Sequence, residues 1–328
     1  VTARLVLLLW LLGTGLALAG PAPSHVDVLF VDSPASSYAQ AAATFKTRVE
    51  KETHGGLHVS VHAGGRWHDQ TLDELAIIHD VIENKVSMAM ITVSPLANYN
   101  EQLELLDIPF LFKSYEQVDK VLDGPIGARL LGGLEQKGLV GLSFLDGGFR
   151  IYSSREPIHS LRDMVGKRVR VMQNRTYINL VKAFSATPVP SAVANIYEMA
   201  ERGYIDAADR SYPTYWDFKL YDVQKYIIET NHAYSVKIFL INKKFFDGLP
   251  SALQQAVRHA AQTASLAQRV AFRGQVEQVK REAASRGVTI TVLSPQARQA
   301  FVEASRPVVE QVSRLVGADL VSQVRRIH

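Results

Sequence analysis

The sequence predicts an α/β protein of two units, with mainly parallel sheets covered by helices. Three observations carry that expectation. Short apolar runs alternate with stretches of helical spacing along most of the chain, which is the βαβα pattern. A chain of 328 residues, 47% hydrophobic and 21% charged, has length for about two domains at roughly 100–200 residues each. Ser251–Arg286 contains no proline and Gly274 as its one glycine. It can therefore run as one helix of ~36 residues, about 54 Å at 1.5 Å per residue. A helix that long exceeds one small domain and is expected to brace two.

The elements follow in order. Residues 5–19 (LVLLLWLLGTGLALA) are uncharged, follow Arg4, and end in Ala17-Leu18-Ala19 before Gly20. That order predicts a secretory signal cleaved near Ala19, with Val1 read as a non-standard start; the stretch falls short of the ~20 residues that span a bilayer. Removing residues 1–19, with one charged residue, would leave 309 residues at a net charge of +3. Val26–Val31 reads as a strand. Ser33-Pro34 and Ser36 open a helix with Ala42, Phe45 and Val49 on one face, ended by Gly55-Gly56. Leu57–Ala63 alternates Leu57, Val59 and Val61 inward with histidine and serine outward, a period-2 strand. Asp69–Asn84 reads as a helix through Leu72, Leu75, Ile78 and Ile82, and Val86–Ile91, Leu139–Leu145 and Arg168–Met172 as strands.

Composition removes several function classes. With no cysteine, disulfides, thiolate metal sites, iron–sulfur clusters and cysteine nucleophiles are excluded. Lys+Arg 36 against Asp+Glu 32 gives +4, and the basic residues are scattered, so no nucleic-acid stripe is indicated. The chain carries no G-x-S-x-G elbow, no G-x-x-x-x-G-K-[ST] loop and no H-E-x-x-H helix. No enzymatic activity and no cofactor are therefore expected. His54, His58, His62 and His68 are read as solvent-facing positions rather than a metal site, and Asp73 with Glu74 as a solvated helix surface.

Two arginines beside apolar strand ends stand out. Arg150 closes Asp146-Gly147-Gly148-Phe149-Arg150, and Arg170 sits inside Val169-Arg170-Val171-Met172. An arginine in an apolar strand either points outward or meets an anion; a guanidinium fork suits a carboxylate in bidentate fashion. Local pattern leaves both readings open.

The longer motifs carry a family resemblance. LLDIPFLF at 105–112 is followed by VLDGPIG at 121–127, then by Gly148-Phe149-Arg150, REPI at 155–158 and LRDMVGK at 161–167. RVRVMQ at 168–173, YDVQKY at 221–226, Thr230-Asn231-His232 and KKFFDGLP at 243–250 complete the series. In this order the chain resembles the solute-binding subunits, of the dicarboxylate-binding kind, of tripartite ATP-independent periplasmic (TRAP) transporters. The resemblance implies a two-lobed α/β periplasmic binding protein with hinge strands, its long C-terminal helix bracing both lobes. Lobe I is expected over 26–147 plus about 236–275, and lobe II over 148–235 plus about 276–328. The implied function is capture of a small organic acid in the periplasm by cleft closure and its delivery to membrane permease subunits. A ligand-loaded sensory protein docking on a membrane receptor is the alternative, and a monomer is expected.

The resemblance also assigns residues. Arg170 matches the arginine that clamps the ligand carboxylate, Arg150 a second arginine near it, and Gln173 a polar contact with Asn174 beside it. Gln70 falls where many members have a glutamate, and Ser94 falls on a cleft-facing loop. Two positions depart from the family pattern. Arg210, in Asp206-Ala207-Ala208-Asp209-Arg210-Ser211, replaces a ligand-contacting asparagine. Val193 falls where an aromatic often stacks on the ligand, while Tyr212, Tyr215 and Trp216 crowd the next helix. Arg210 is expected to contact ligand, to pair with Asp209 or Asp206, or to face solvent, and Trp216 to contact ligand or pack within the lobe. On the assumption that Asp209 and Asp206 offset Arg210, a small hydroxy- or oxo-monocarboxylate is the favoured ligand.

Overall fold

The protein is described by a computed structural model covering residues 24–328; the expected export signal at 1–19 lies outside those residues. Thirteen strands are described: β1 (Ser24–Leu29), β2 (Leu57–His62), β3 (Arg66–Trp67), β4 (Gln70–Thr71), β5 (Met88–Thr92), β6 (Leu139–Phe149), β7 (Ile151–Ser154), β8 (Arg168–Val171), β9 (Thr187–Pro190), β10 (Ala207–Arg210), β11 (Tyr226–Glu229), β12 (Tyr234–Asn242) and β13 (Thr289–Val292). They form a first sheet in the order β2-β1-β5-β12-β6, a second in the order β13-β11-β7-β10-β8-β9, and a small β3-β4 hairpin.

Both large sheets are mainly parallel, as expected, and each holds one strand of opposite direction. In the first sheet β12 runs antiparallel to β5 and β6; in the second β7 runs antiparallel to β10 and β11. Those two strands mark the crossings. The chain leaves the first sheet where β6 passes through Arg150 into β7, and returns where β11 passes through Thr230–Ala233 into β12. At the first crossing β6 bulges against β12 between Ser235 and Val236, with glycines at the bend. Gly148 has φ +79°, and a Cβ there would lie 2.5 Å from the Phe272 ring; the left-handed backbone and the close approach both require glycine.

Helices cover both faces of each sheet, so central strands are buried throughout; every residue of β12 is buried. Val169 and Val171 pack with Tyr177, Leu180 and Val181 of the helix Arg175–Ala183, leaving Arg170 on the opposite face by period-2 alternation. The helix Ser251–Ala283 spans 33 residues and a 3-10 turn extends it to Arg286, the same stretch that the sequence marks. Its small residues Ala256, Ala260 and Ala264 sit in a core shared with Phe45, Leu142 and Phe239 of the first lobe and Tyr215 and Ile227 of the second. Gln275 donates to Asp217 at 3.2 Å and Lys280 pairs with Glu229 at 2.7 Å. The helix thus braces both lobes.

Three local expectations change. Residues 69–84 are not one helix: β3 and β4 turn the chain first, and Asp73 caps a shorter helix, Glu74–Ile82, by accepting from the Ala76 N–H at 2.9 Å. Its buried face is Ile77, Ile78 and Val81, not Leu72, Leu75, Ile78 and Ile82. Val61 is exposed at 37%, because β2 is an edge strand. Finally, Val308, Val312, Val316, Leu320, Val321 and Val324 pack with Ile77, Leu103 and Val118 of the first lobe, so the end of 276–328 returns to lobe I. A second apolar surface on the last two helices draws it there.

Candidate functional site

The carboxyl-terminal ends of the parallel strands converge on a cleft between the lobes, where α/β sheets bind ligands. The cleft encloses a cavity of about 620 Å³, within the range that holds small organic ligands. The first lobe contributes Asp32 after β1, Tyr38, the segment Thr71–Glu74, Thr92 at the end of β5, and Lys237 of β12. The second contributes Arg150, Arg170, Gln173, Arg210 and the segment Ser191–Asn195 after β9.

The arginines sit in different electrostatic settings. Arg150 donates from Nε to the Asp209 carboxylate at 2.6 Å and from Nη2 to the Asp209 carbonyl at 2.9 Å, all three groups being buried. Burial opposes a charge on Asp209, yet Arg150, with the His232 ring 3.3 Å away, holds it well below the usual carboxylate range. Burial pushes His232 down. Arg170, 4% exposed, donates from Nε and Nη2 to the Ser191 carbonyl at 3.0 and 2.5 Å. Burial and then the Arg150 charge lower it to about 9, so an anion beside it would be stabilising. Arg210 is 1% exposed, and its Nε, Nη1 and Nη2 have no hydrogen-bond partner among the described residues. Its expected partners are engaged elsewhere: Asp209 by Arg150, and Asp206 by Arg168 at 2.7 Å. The pairing that was to neutralise Arg210 is not made.

The facing wall is acidic. Lys237 reaches Asp32 at 2.5 Å and Glu74 at 3.4 Å. Glu74 also accepts from the Thr92 N–H and hydroxyl at 2.8 and 2.7 Å. Burial raises Asp32 against the opposing effect of Lys237. Asp73 and Glu74 therefore face the cleft, not bulk solvent as expected, because the β3-β4 hairpin shortens the helix and swings its amino-terminal end inward.

Arg150, Arg170, Gln173 and Arg210 are brought together, and four other candidates are not. Gln70 is exposed on the hairpin while its neighbour Thr71 lines the cavity; pairing with Trp67 turns it away. Ser94 is buried and donates to Asp107 at 2.7 Å, while Pro95 lines the cavity. Asn174 caps the helix Arg175–Ala183 and donates to the Ser94 carbonyl at 2.9 Å, tying the lobes together behind the cavity. Trp216 packs on Tyr221 with ring centroids 4.7 Å apart, beside Arg286; lobe packing accounts for it. Asn98 bonds the Gln173 carbonyl at 3.1 Å, and Tyr177 the Asp107 carboxyl at 3.2 Å, in the same inter-lobe network.

Asp32, Asp73, Glu74, Ser191 and Lys237 were not singled out from sequence as site residues. Lys237 carries the signal that marked Arg170, a charge inside an apolar strand. Asp32 follows directly on the carboxyl end of an apolar run, where strand-end geometry points to a cleft.

Comparison with known proteins agrees with this architecture. The family model described as "Bacterial extracellular solute-binding protein, family 7" matches residues 30–315. The 2,3-diketo-L-gulonate-binding periplasmic protein YiaO of Escherichia coli is 34% identical over 231 residues, 70% of this chain and 69% of that protein. The C4-dicarboxylate-binding periplasmic protein DctP of Rhodobacter capsulatus is 28% identical over 315 residues, 94% of this chain and 93% of that one. The sugar acid binding protein DctPAm of Advenella mimigardefordensis, solved in complex with galactonate, superposes with a TM-score of 0.88 at 28% identity, covering 92% of this chain and 97% of that one. With the family model spanning residues 30–315 and the fold superposing on a solved relative with a TM-score of 0.88, this chain belongs to family 7 of the bacterial extracellular solute-binding proteins, the solute-binding proteins of TRAP transporters.

Proposed function

We propose that the protein is the periplasmic solute-binding subunit of a TRAP transporter, that it captures a small organic acid between its lobes, and that it passes the acid unchanged to membrane permease subunits. The observation that carries this reading is the pair Arg170 and Arg210. Both guanidiniums are buried on the cavity wall, and neither has a carboxylate partner among the described residues. A buried charge without a counterion is costly, and a ligand carboxylate supplies one through charge-assisted hydrogen bonds. Arg170 takes the carboxylate, Arg150 is held in place by Asp209 beside it, and Gln173 contributes a polar contact. The relatives support the ligand class, since YiaO, DctP and DctPAm are each described as binding an organic acid. Hinge motion at the β6–β7 and β11–β12 crossings would open and close the cleft.

The test is a thermal-shift screen of the exported chain against D-galactonate, 2,3-diketo-L-gulonate, succinate and further organic acids, with neutral D-galactose as control. An acid present at 100 times its dissociation constant should stabilise the chain by about 2.7 kcal/mol and be recovered unaltered. A chain that responds to the neutral sugar and to no acid, or that converts the acid, contradicts the proposal.

A further inference from the structure

We infer that Arg210 is the specificity-determining residue of this cleft: with Arg170 it holds both the carboxylate and the oxygen on the adjacent carbon of a 2-hydroxy or 2-oxo monocarboxylate. The opposite, acidic wall accepts hydrogen bonds from the ligand's hydroxylated end. The inference rests on the carboxylate-binding reading given above.

Three features lead to it. The first is placement. Strands β8 and β10 are parallel neighbours with Arg170 opposite Ala208, and Arg210 lies two residues on, so both guanidiniums rise from one face of the sheet. The second is donor capacity. Arg170 spends Nε and Nη2 on the Ser191 carbonyl, whereas the entire fork of Arg210 is without a partner among the described residues. A guanidinium offers five N–H donors in a plane. One carboxylate satisfies one fork in bidentate fashion; the second fork needs a further oxygen nearby, which a C2 hydroxyl or carbonyl provides. The third is the facing wall, where Asp32 and Glu74 share Lys237 and Asp73 lines the cavity beside them with no ion-pair partner among the described residues. A second carboxylate at the far end of a C4-dicarboxylate would meet like charge there, while hydroxyls can donate to it. Since neither Asp209 nor Asp206 pairs with Arg210, the monocarboxylate preference rests on this wall and not on such an ion pair.

The experiment is titration calorimetry on the exported chain with two matched pairs, D-galactonate with its 2-deoxy analogue and lactate with propionate, and with succinate. In the unaltered chain the 2-hydroxy member of the pair that binds should be favoured at least tenfold, and succinate should bind more weakly than it. In Arg210→Asn the 2-hydroxy acid should lose at least tenfold while its deoxy partner loses less than threefold. Equal losses for both members, or succinate as the tightest ligand, overturn the inference while leaving the carboxylate-binding reading intact. If none of these acids binds the unaltered chain, that reading falls and this inference with it. Melting of the ligand-free chains separates a structural role from a binding one. Deleting a buried charge that has no partner should raise the melting temperature by at least about 1 °C. A lower melting temperature together with equal losses for both acids identifies Arg210 as a structural residue and also overturns the inference.

Discussion

Arg170→Ala should cost the protein its ligand and very little of its stability. In the folded chain Arg170 makes two hydrogen bonds, both to the Ser191 carbonyl, at 3.0 and 2.5 Å, and the rest of its fork faces the cavity. Removing one partner of a buried, hydrogen-bonded charge pair typically costs about 2–5 kcal/mol. At about 1.4 kcal/mol per tenfold, that weakens acid binding by roughly 30-fold to several thousandfold. The ligand-free protein loses the Ser191 contact, worth about 1.5–3 kcal/mol for a charged donor. It also loses the burial cost of Arg170 and the repulsion from Arg150, which together push that guanidinium down. These contributions oppose each other, so the melting temperature should move by no more than about 4 °C. Arg170→Lys keeps the charge and discards the planar fork; one ammonium cannot serve Ser191 and the acid in the same geometry, and about a tenfold loss is expected. The assay is titration calorimetry with the acid giving the largest thermal shift, alongside melting of the ligand-free variants. A loss below threefold for Arg170→Ala, or full affinity for Arg170→Lys, would refute the reasoning.

Gly148→Val should destabilise by about 2–4 kcal/mol from overpacking and a left-handed backbone, because its Cβ would sit 2.5 Å from Phe272; Gly274→Ala, with nothing within 4 Å, should stabilise by about 0.5–1 kcal/mol. Thermal unfolding that ranks the two variants the other way round contradicts the crossing geometry. Burial, followed by the Glu104 charge, raises Asp107 to about 8, so the folded chain keeps a proton that the unfolded chain releases above about 3.9. The contribution of Asp107 to stability then falls as pH rises from about 4 to about 8 and levels off beyond. Asp107→Asn lacks that slope, and its melting advantage should widen across the same window; an advantage constant with pH refutes the assignment. Small-angle scattering should give a smaller radius of gyration with saturating acid than without it, since closure sets acid-facing groups of one lobe against the arginines of the other. Identical curves at proven saturation would count against closure.

Much of this architecture was legible in the residues themselves. Apolar alternation, small-residue helix faces and capping serines act over a few residues, so they specify β1, β2, β5 and the helix Ser37–Glu52 without tertiary information. A proline-free run with one glycine is enough to mark the helix from Ser251 to Arg286. An arginine within an apolar strand must meet an anion or find solvent, which singled out Arg170, and order-dependent motifs carried the family. Which polar groups would face one another could not be read this way. Ser94 and Asn174 lie 80 residues apart and Lys237 and Asp32 205 apart; whether each partner exists depends on how two sheets dock. Gln70 and Glu74 are four residues apart, and a two-residue hairpin decides that the second lines the cavity and the first does not. The same holds for Arg210. Sequence placed two aspartates beside it, and only the tertiary structure gave one to Arg150 and the other to Arg168, because side-chain pairing follows the strand face and neighbouring elements rather than adjacency along the chain.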